Sequence, residues 1–235
     1  MRTTRRILAA AYLSLALLLA GPSGARADSV YLGGTYSGNF SMIVNGVATT
    51  EGGGSIGGSS GVKGSTAFNF LALYCVDIFT GASLNTNYTA TYNSVGVINS
   101  QALPAAGSIA WLMINIAPTL TTQAQFQAMQ GLIWELESPF NGSTIAFNTA
   151  AGVNSATAIA NYNAYKTALG AKTAPLSTVH WINPVNTQGQ YAYQGFVGIT
   201  QSQRDQALSV PEPASLVLLG VGIAALAALR RRAPR

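Results

Sequence analysis

The sequence predicts an α+β fold, a β sandwich or barrel with an inserted three-helix subdomain, framed by an N-terminal signal peptide and a C-terminal transmembrane helix. Three observations predict it. Segments dense in aromatic and β-branched residues stand on both sides of the middle of the chain. Between them, three stretches carry apolar residues at helical spacing, punctuated by proline or glycine. The longest apolar runs lie near the two termini.

Taken in order, residues 1–27 (MRTTRRILAAAYLSLALLLAGPSGARA) have the parts of a secretory signal: a front of Arg2, Arg5 and Arg6, an apolar run from Ile7 to Ala20, and Ala25-Arg26-Ala27 as a small-x-small site for signal peptidase. VYLGGTYSGNFSMIV then reads as one or two strands. NGVATTEGGGSIGGSSGVKGST reads as a flexible loop, because Gly and Ser bury too little surface to order themselves. AFNFLALYCVDIF is a continuous apolar run, most simply one buried strand. NYTATYNSVGVI alternates Tyr88, Ala90 and Tyr92 with Thr89 and Thr91, a half-exposed strand.

The helical pattern begins at PAAGSIAWLMINIAP, where Ile109, Leu112, Met113 and Ile116 fall on one side between Pro104 and Pro118. TTQAQFQAMQGLIWELESP is the clearest helix, opened by Thr121 or Thr122 and stopped at Pro139. NSATAIANYNAYKTALG is the third, with Gly170 as its stop. VHWINPV and QYAYQGFVGIT return to strand. No repeat of fixed period is evident, so residues 28–209 read as one extracellular module.

The chain closes with VPEPASLVLLGVGIAALAALRRRAPR, residues 210–235. From Ala214 to Leu229 every residue is apolar, Gly or Ser, and the run approaches the roughly 20 residues of a membrane span. Arg230, Arg231 and Arg232 follow as a stop on the cytoplasmic side. Val210, Pro211, Glu212 and Pro213, then the apolar helix, then the arginines: this order resembles the PEP-CTERM sorting signal of Gram-negative bacteria. The resemblance implies that an exosortase-type protease cuts near the motif. The inner membrane would then hold the chain only transiently before it reaches the cell surface or the extracellular space.

The formal charge of +5 belongs to these terminal segments. Residues 28–209 hold Lys63, Lys166, Lys172 and Arg204 against Asp28, Glu51, Asp77, Glu135, Glu137 and Asp205, which leaves no basic patch for nucleic acid. A single Cys and a single His cannot build a zinc site, and the pattern calls for no cofactor.

That cysteine, Cys75, is unusual in an exported chain, where thiols normally pair. A second oddity lies in the clearest helix. Gln130 falls within the apolar stripe of Phe126, Met129, Ile133 and Trp134, where an unpartnered carboxamide would cost a few kcal/mol. A hydrogen bond to a neighbouring strand would satisfy it. An internal thioester would account for both oddities at once: attack of Cys75 Sγ on the Gln130 side-chain carbonyl, with loss of ammonia, favoured by positioning.

YCVD followed by MQGLIWELE resembles the thioester domains of bacterial surface adhesins, although Met129 and Leu132 stand where that family has Thr and Ala. The resemblance implies a Cys75–Gln130 cross-link, with Tyr74, Asp77 and Trp134 as motif neighbours. It also implies covalent capture of surface amines, hydroxyls or polysaccharide, which would make the chain an adhesin with at most a single turnover. The alternative is a non-reactive structural or carbohydrate-binding protein of the extracellular polysaccharide matrix, with Cys75 a small buried hydrophobe. A cysteine hydrolase drawing on His180 and Asn183 has no local signature. Glu135 and Glu137 lie two apart on a helix, facing different ways, which speaks against a glycosidase pair.

Overall fold

The structure is a computed structural model and describes residues 27–36, 38–139 and 142–209. The expected signal peptide up to Arg26, the sorting motif Val210–Pro213, the transmembrane helix and its Arg230–Arg232 stop lie outside the described residues. Among the described residues no helix is long and apolar enough to cross a membrane.

The first half of the chain is made of strands: β1 (Ser29–Leu32), β2 (Asn39–Val44), β3 (Val47–Gly52), β4 (Ser60–Lys63), β5 (Thr66–Asn69), β6 (Ala72–Cys75), β7 (Thr86–Asn93), β8 (Val97–Ile98) and β9 (Gln101–Ala102). Helices α1 (Ala106–Asn115) and α2 (Gln123–Leu136) follow, then β10 (Ile145–Phe147) and α3 (Ala156–Leu169). β11 (His180–Val185), β12 (Phe196–Ile199) and α4 (Gln201–Leu208) complete the described order.

Seven strands form one antiparallel sheet in the order β5-β4-β1-β7-β11-β12-β6. The sheet curls into a half-barrel around a core that includes Trp181, Tyr74, Phe196, Leu32 and Leu73. A smaller sheet, β10-β2-β3, lies against α2, and Phe147 of β10 stacks on Tyr162 of α3. The α+β class and the insertion of helices between two sets of strands agree with the sequence. A closed barrel or a sandwich does not. The end strands β5 and β6 are not paired with each other; residues 53–59 run between them as a strap. Along it, Ile56 N–H donates to Leu73 O, and Ser59 O accepts from Phe70 N–H.

Two expectations fail for local reasons. The glycine-rich stretch is ordered, not flexible. Asn45 and Gly46 both take positive φ (51° and 80°) and turn β2 into β3, the Asn-Gly hairpin chemistry that the composition of the stretch obscures. AFNFLALYCVDIF is two strands, because β5 and β6 sit at opposite ends of the sheet and the chain must break at Phe70-Leu71 to pass between them. The helices follow their signals. Thr122 forms a capping box with Gln125, Ser155 accepts from Ala158 N–H, and Gly170 (φ 51°) ends α3. β10 and α4 lack a strong pattern in the sequence. In QYAYQGFVGIT only Phe196–Ile199 is strand.

Candidate functional site

β6 is the last strand of the large sheet, so one side of its backbone has no neighbouring strand. Val76 N–H points to Gly195 O on the β12 side, which turns the N–H and C=O of Cys75 the other way. The Gln130 carboxamide occupies that outward edge. Its Nε2 donates to Cys75 O at 2.7 Å, and its Oε1 accepts from Cys75 N at 3.1 Å and from Gly54 N at 3.3 Å. Gln130 is fully buried and Cys75 nearly so. The N–H and C=O of Cys75 and the N–H of Gly54 are all satisfied by one side chain reaching from α2 to β6.

Local sequence explains the placement. Phe126, Gln130 and Trp134 recur every four residues on one face of α2, and Glu137 continues that face past the last turn. Trp134 is buried and stacks on Phe40 with ring centroids 5.5 Å apart. The strap passes directly over this face. A Cβ on Gly53 would lie 2.8 Å from both Gln130 Cγ and Trp134 Cη2, and Gly54 has φ +120°, a conformation reserved in practice for glycine.

The electrostatics keep the sulfur neutral. Cys75 is a free thiol whose pKa burial pushes far up, with the nearby Asp77 carboxylate adding to the effect. Asp77 itself organises the turn after β6. Its Oδ1 accepts from Phe79 N, its Oδ2 from Thr80 Oγ1 and Asn99 Nδ2, and its carbonyl from Gln194 Nε2. Glu137 is also fully buried, and desolvation, then Asp77, raise its pKa well above the ordinary carboxylate range. Neither Glu137 oxygen has a hydrogen-bond partner among the described residues. Tyr74 is buried beside Cys75, with burial raising its phenol pKa and Tyr165 and Ser55 as its polar neighbours.

The structure therefore brings together Cys75, Gln130, Tyr74, Asp77 and Trp134. Gly53, Gly54 and Glu137 join them although the sequence reading assigned them no role there. The run of glycines in EGGGS was the available signal for the first two. His180 and Asn183 do not join the cluster. A whole strand, β12, separates β11 from β6, and the His180 ring is stacked on Phe68 at 4.7 Å with Phe70 and Tyr92 edge-on. Asn183 is used to hold Asn99 N and Val97 O. Glu135 points to α3, where it pairs with Lys166 at 2.6 Å and accepts from Tyr162, well apart in role from the buried Glu137. No group of His, Cys, Asp or Glu among the described residues could hold a metal ion.

Residues 209–232 match the family model of the PEP-CTERM protein-sorting motif. The motif indicates an exported chain, processed by exosortase-type machinery and sorted to the cell surface or the extracellular space. No curated protein and no solved structure matches the chain.

Proposed function

We propose that the exported module is a covalent adhesin whose reactive group is an internal thioester between Cys75 and Gln130. One observation carries the reading. In a chain with a single cysteine, the one fully buried glutamine on α2 is bonded through both its carboxamide oxygen and its nitrogen to that cysteine's backbone. Such positioning gives the high effective molarity that a weak electrophile needs. In forming the bond, Cys75 Sγ adds to Gln130 Cδ, the C–N bond breaks, and the thiol proton leaves with the nitrogen as ammonia. A surface amine or hydroxyl later displaces the sulfur, leaving a glutamyl amide or ester and a free Cys75. The test is labelling of the exported chain with isotopic methylamine, followed by peptide mapping. Label confined to Gln130, and absent in Cys75→Ala, supports the reading. No label in the folded chain, or label elsewhere, removes it.

A second reading has its own observation. A groove of about 500 Å³ between β2, β3 and the N-terminal ends of α2 and α3 is lined by the neutral polar Asn39, Thr50, Gln123 and Gln127 together with the apolar Phe40, Ala124 and Val153, a mixture suited to the hydroxyls and the ring faces of a sugar. In that reading the chain is a non-reactive carbohydrate-binding protein of the extracellular matrix, and Gln130 serves only to satisfy the edge of β6.

A further inference from the structure

We propose that the backbone N–H groups of Gly54 and Cys75 form an oxyanion hole that activates the Gln130 side-chain carbonyl. The proposal deepens the thioester reading and rests on it. Both donors converge on one oxygen, Gln130 Oε1, from two different segments: Cys75 N from β6 at 3.1 Å and Gly54 N from the strap at 3.3 Å. A purely structural glutamine capping a strand edge needs one donor and one acceptor, and the backbone of Cys75 supplies both. The second donor is in excess of that requirement and comes from outside the strand.

The distances fit a role in the transition state. Both contacts are at the long end of the N–H···O range while the oxygen is a neutral amide carbonyl. As Sγ adds to Cδ, the oxygen becomes an alkoxide, and charge-assisted bonds contract and strengthen. The interaction is therefore worth more in the transition state than in the ground state, which is the condition for catalysis. Both donor residues are buried, so their N–H groups need no reorganisation as charge develops.

Three features of the sequence support this placement. Gly54 adopts φ +120°, which other residues rarely reach, and its N–H points at Gln130 Oε1. Gly53 must lack a Cβ for the strap to close over Gln130 and Trp134. Cys75 supplies the nucleophile and one donor from the same residue, and its backbone holds the carboxamide by both ends.

The balance needs no outside reagent. The S–H proton, held on sulfur by burial in the resting state, passes to Nε2 as Sγ adds to Cδ; the intermediate then collapses, the C–N bond breaks and ammonia departs. The same two donors would stabilise the alkoxide formed when an external amine or hydroxyl attacks the thioester.

The test removes the Gly54 N–H without changing any side chain. The full chain is made by cell-free synthesis in detergent with glycolic acid in place of Gly54, an amide-to-ester change, and ammonia loss is followed by timed intact mass. Loss of one oxyanion donor predicts thioester formation slower by about 100-fold or more, and opening by methylamine slowed comparably. Formation and opening at the unmodified rate would overturn the oxyanion hole while leaving the thioester in place. A mass without ammonia loss in the unmodified chain would remove the thioester reading and this proposal with it. Should the ester variant fail to fold, isotope-edited infrared spectroscopy of the unmodified chain decides. A thioester carbonyl stretch in the folded protein well below that of a simple alkyl thioester in an apolar solvent supports donors on the buried oxygen; a stretch equal to that reference contradicts them.

Discussion

Cys75→Ala separates a cross-linked module from an inert one by stability alone. The two residues of the pair lie 55 positions apart, on β6 and α2. A covalent link closing a loop of that size restricts the unfolded chain by about 4 kcal/mol in the loop-entropy treatment used for disulfides. Removing a buried sulfur without any link costs only about 1–2 kcal/mol, as for other small truncations of a packed side chain. With the link, the substitution should cost about 5 kcal/mol, much of the stability of an ordinary domain. Urea unfolding of the exported chain, followed by the fluorescence of the buried Trp134 and Trp181, reads the difference directly. A loss below about 2 kcal/mol would refute the cross-link.

Other substitutions test the surroundings of the pair. Glu137 has a folded-state pKa raised by burial and then by Asp77, so its contribution is intact below its ordinary value of 4.5 and is lost as pH rises through the folded value. Glu137→Gln should therefore raise the unfolding midpoint at neutral pH and leave it nearly unchanged in acid; a midpoint lowered at neutral pH would contradict the burial of an unpaired acid. His180 behaves oppositely, with its pKa lowered from 6.5 to about 4 by burial and then by Lys63. Its contribution is present above 6.5 and falls by up to about 3 kcal/mol as pH drops through that window. His180→Phe should flatten this part of the acid profile in thermal melts, and an unchanged profile would place the acid sensitivity elsewhere. Gly131→Ala should destabilise by about 1–2 kcal/mol in chemical denaturation, because a Cβ there would sit 2.2 Å from Phe147 Cδ2; helix propensity alone would predict a gain of about 1 kcal/mol.

The parts of the fold that are legible in the sequence are those governed by local rules. Thr122, Ser155 and Gly170 mark helix ends through hydrogen bonds and φ values within a few residues, and the helices begin and end where these residues say. The curl of the sheet is not legible, because it depends on which distant strands pair. β5 and β6 are consecutive in sequence yet occupy opposite ends of the sheet, and nothing in AFNFLALYCVDIF records that separation. The glycine-rich stretch misleads because its composition masks its positions: Asn45-Gly46 specifies a hairpin, and Gly53 and Gly54 are required by close approach and by φ.

At the candidate site, Gln130 and Cys75 stand out for chemical reasons, a carboxamide on an apolar stripe and an unpaired thiol in an exported chain. Their juxtaposition agrees with that reading. Glu137 escapes it because an acid near the end of a helix usually reaches solvent, and only the packing against β6 and its following turn reveals that this one does not.

Intact mass of the exported chain, purified without reducing agent and without amines, tests the central claim most directly. The thioester predicts a protein lighter than its processed sequence by one ammonia, with the deficit abolished in both Cys75→Ala and Gln130→Ala. A mass equal to that of the sequence, with Cys75 open to alkylation once the chain is unfolded, would contradict it and leave Gln130 as the structural cap of β6.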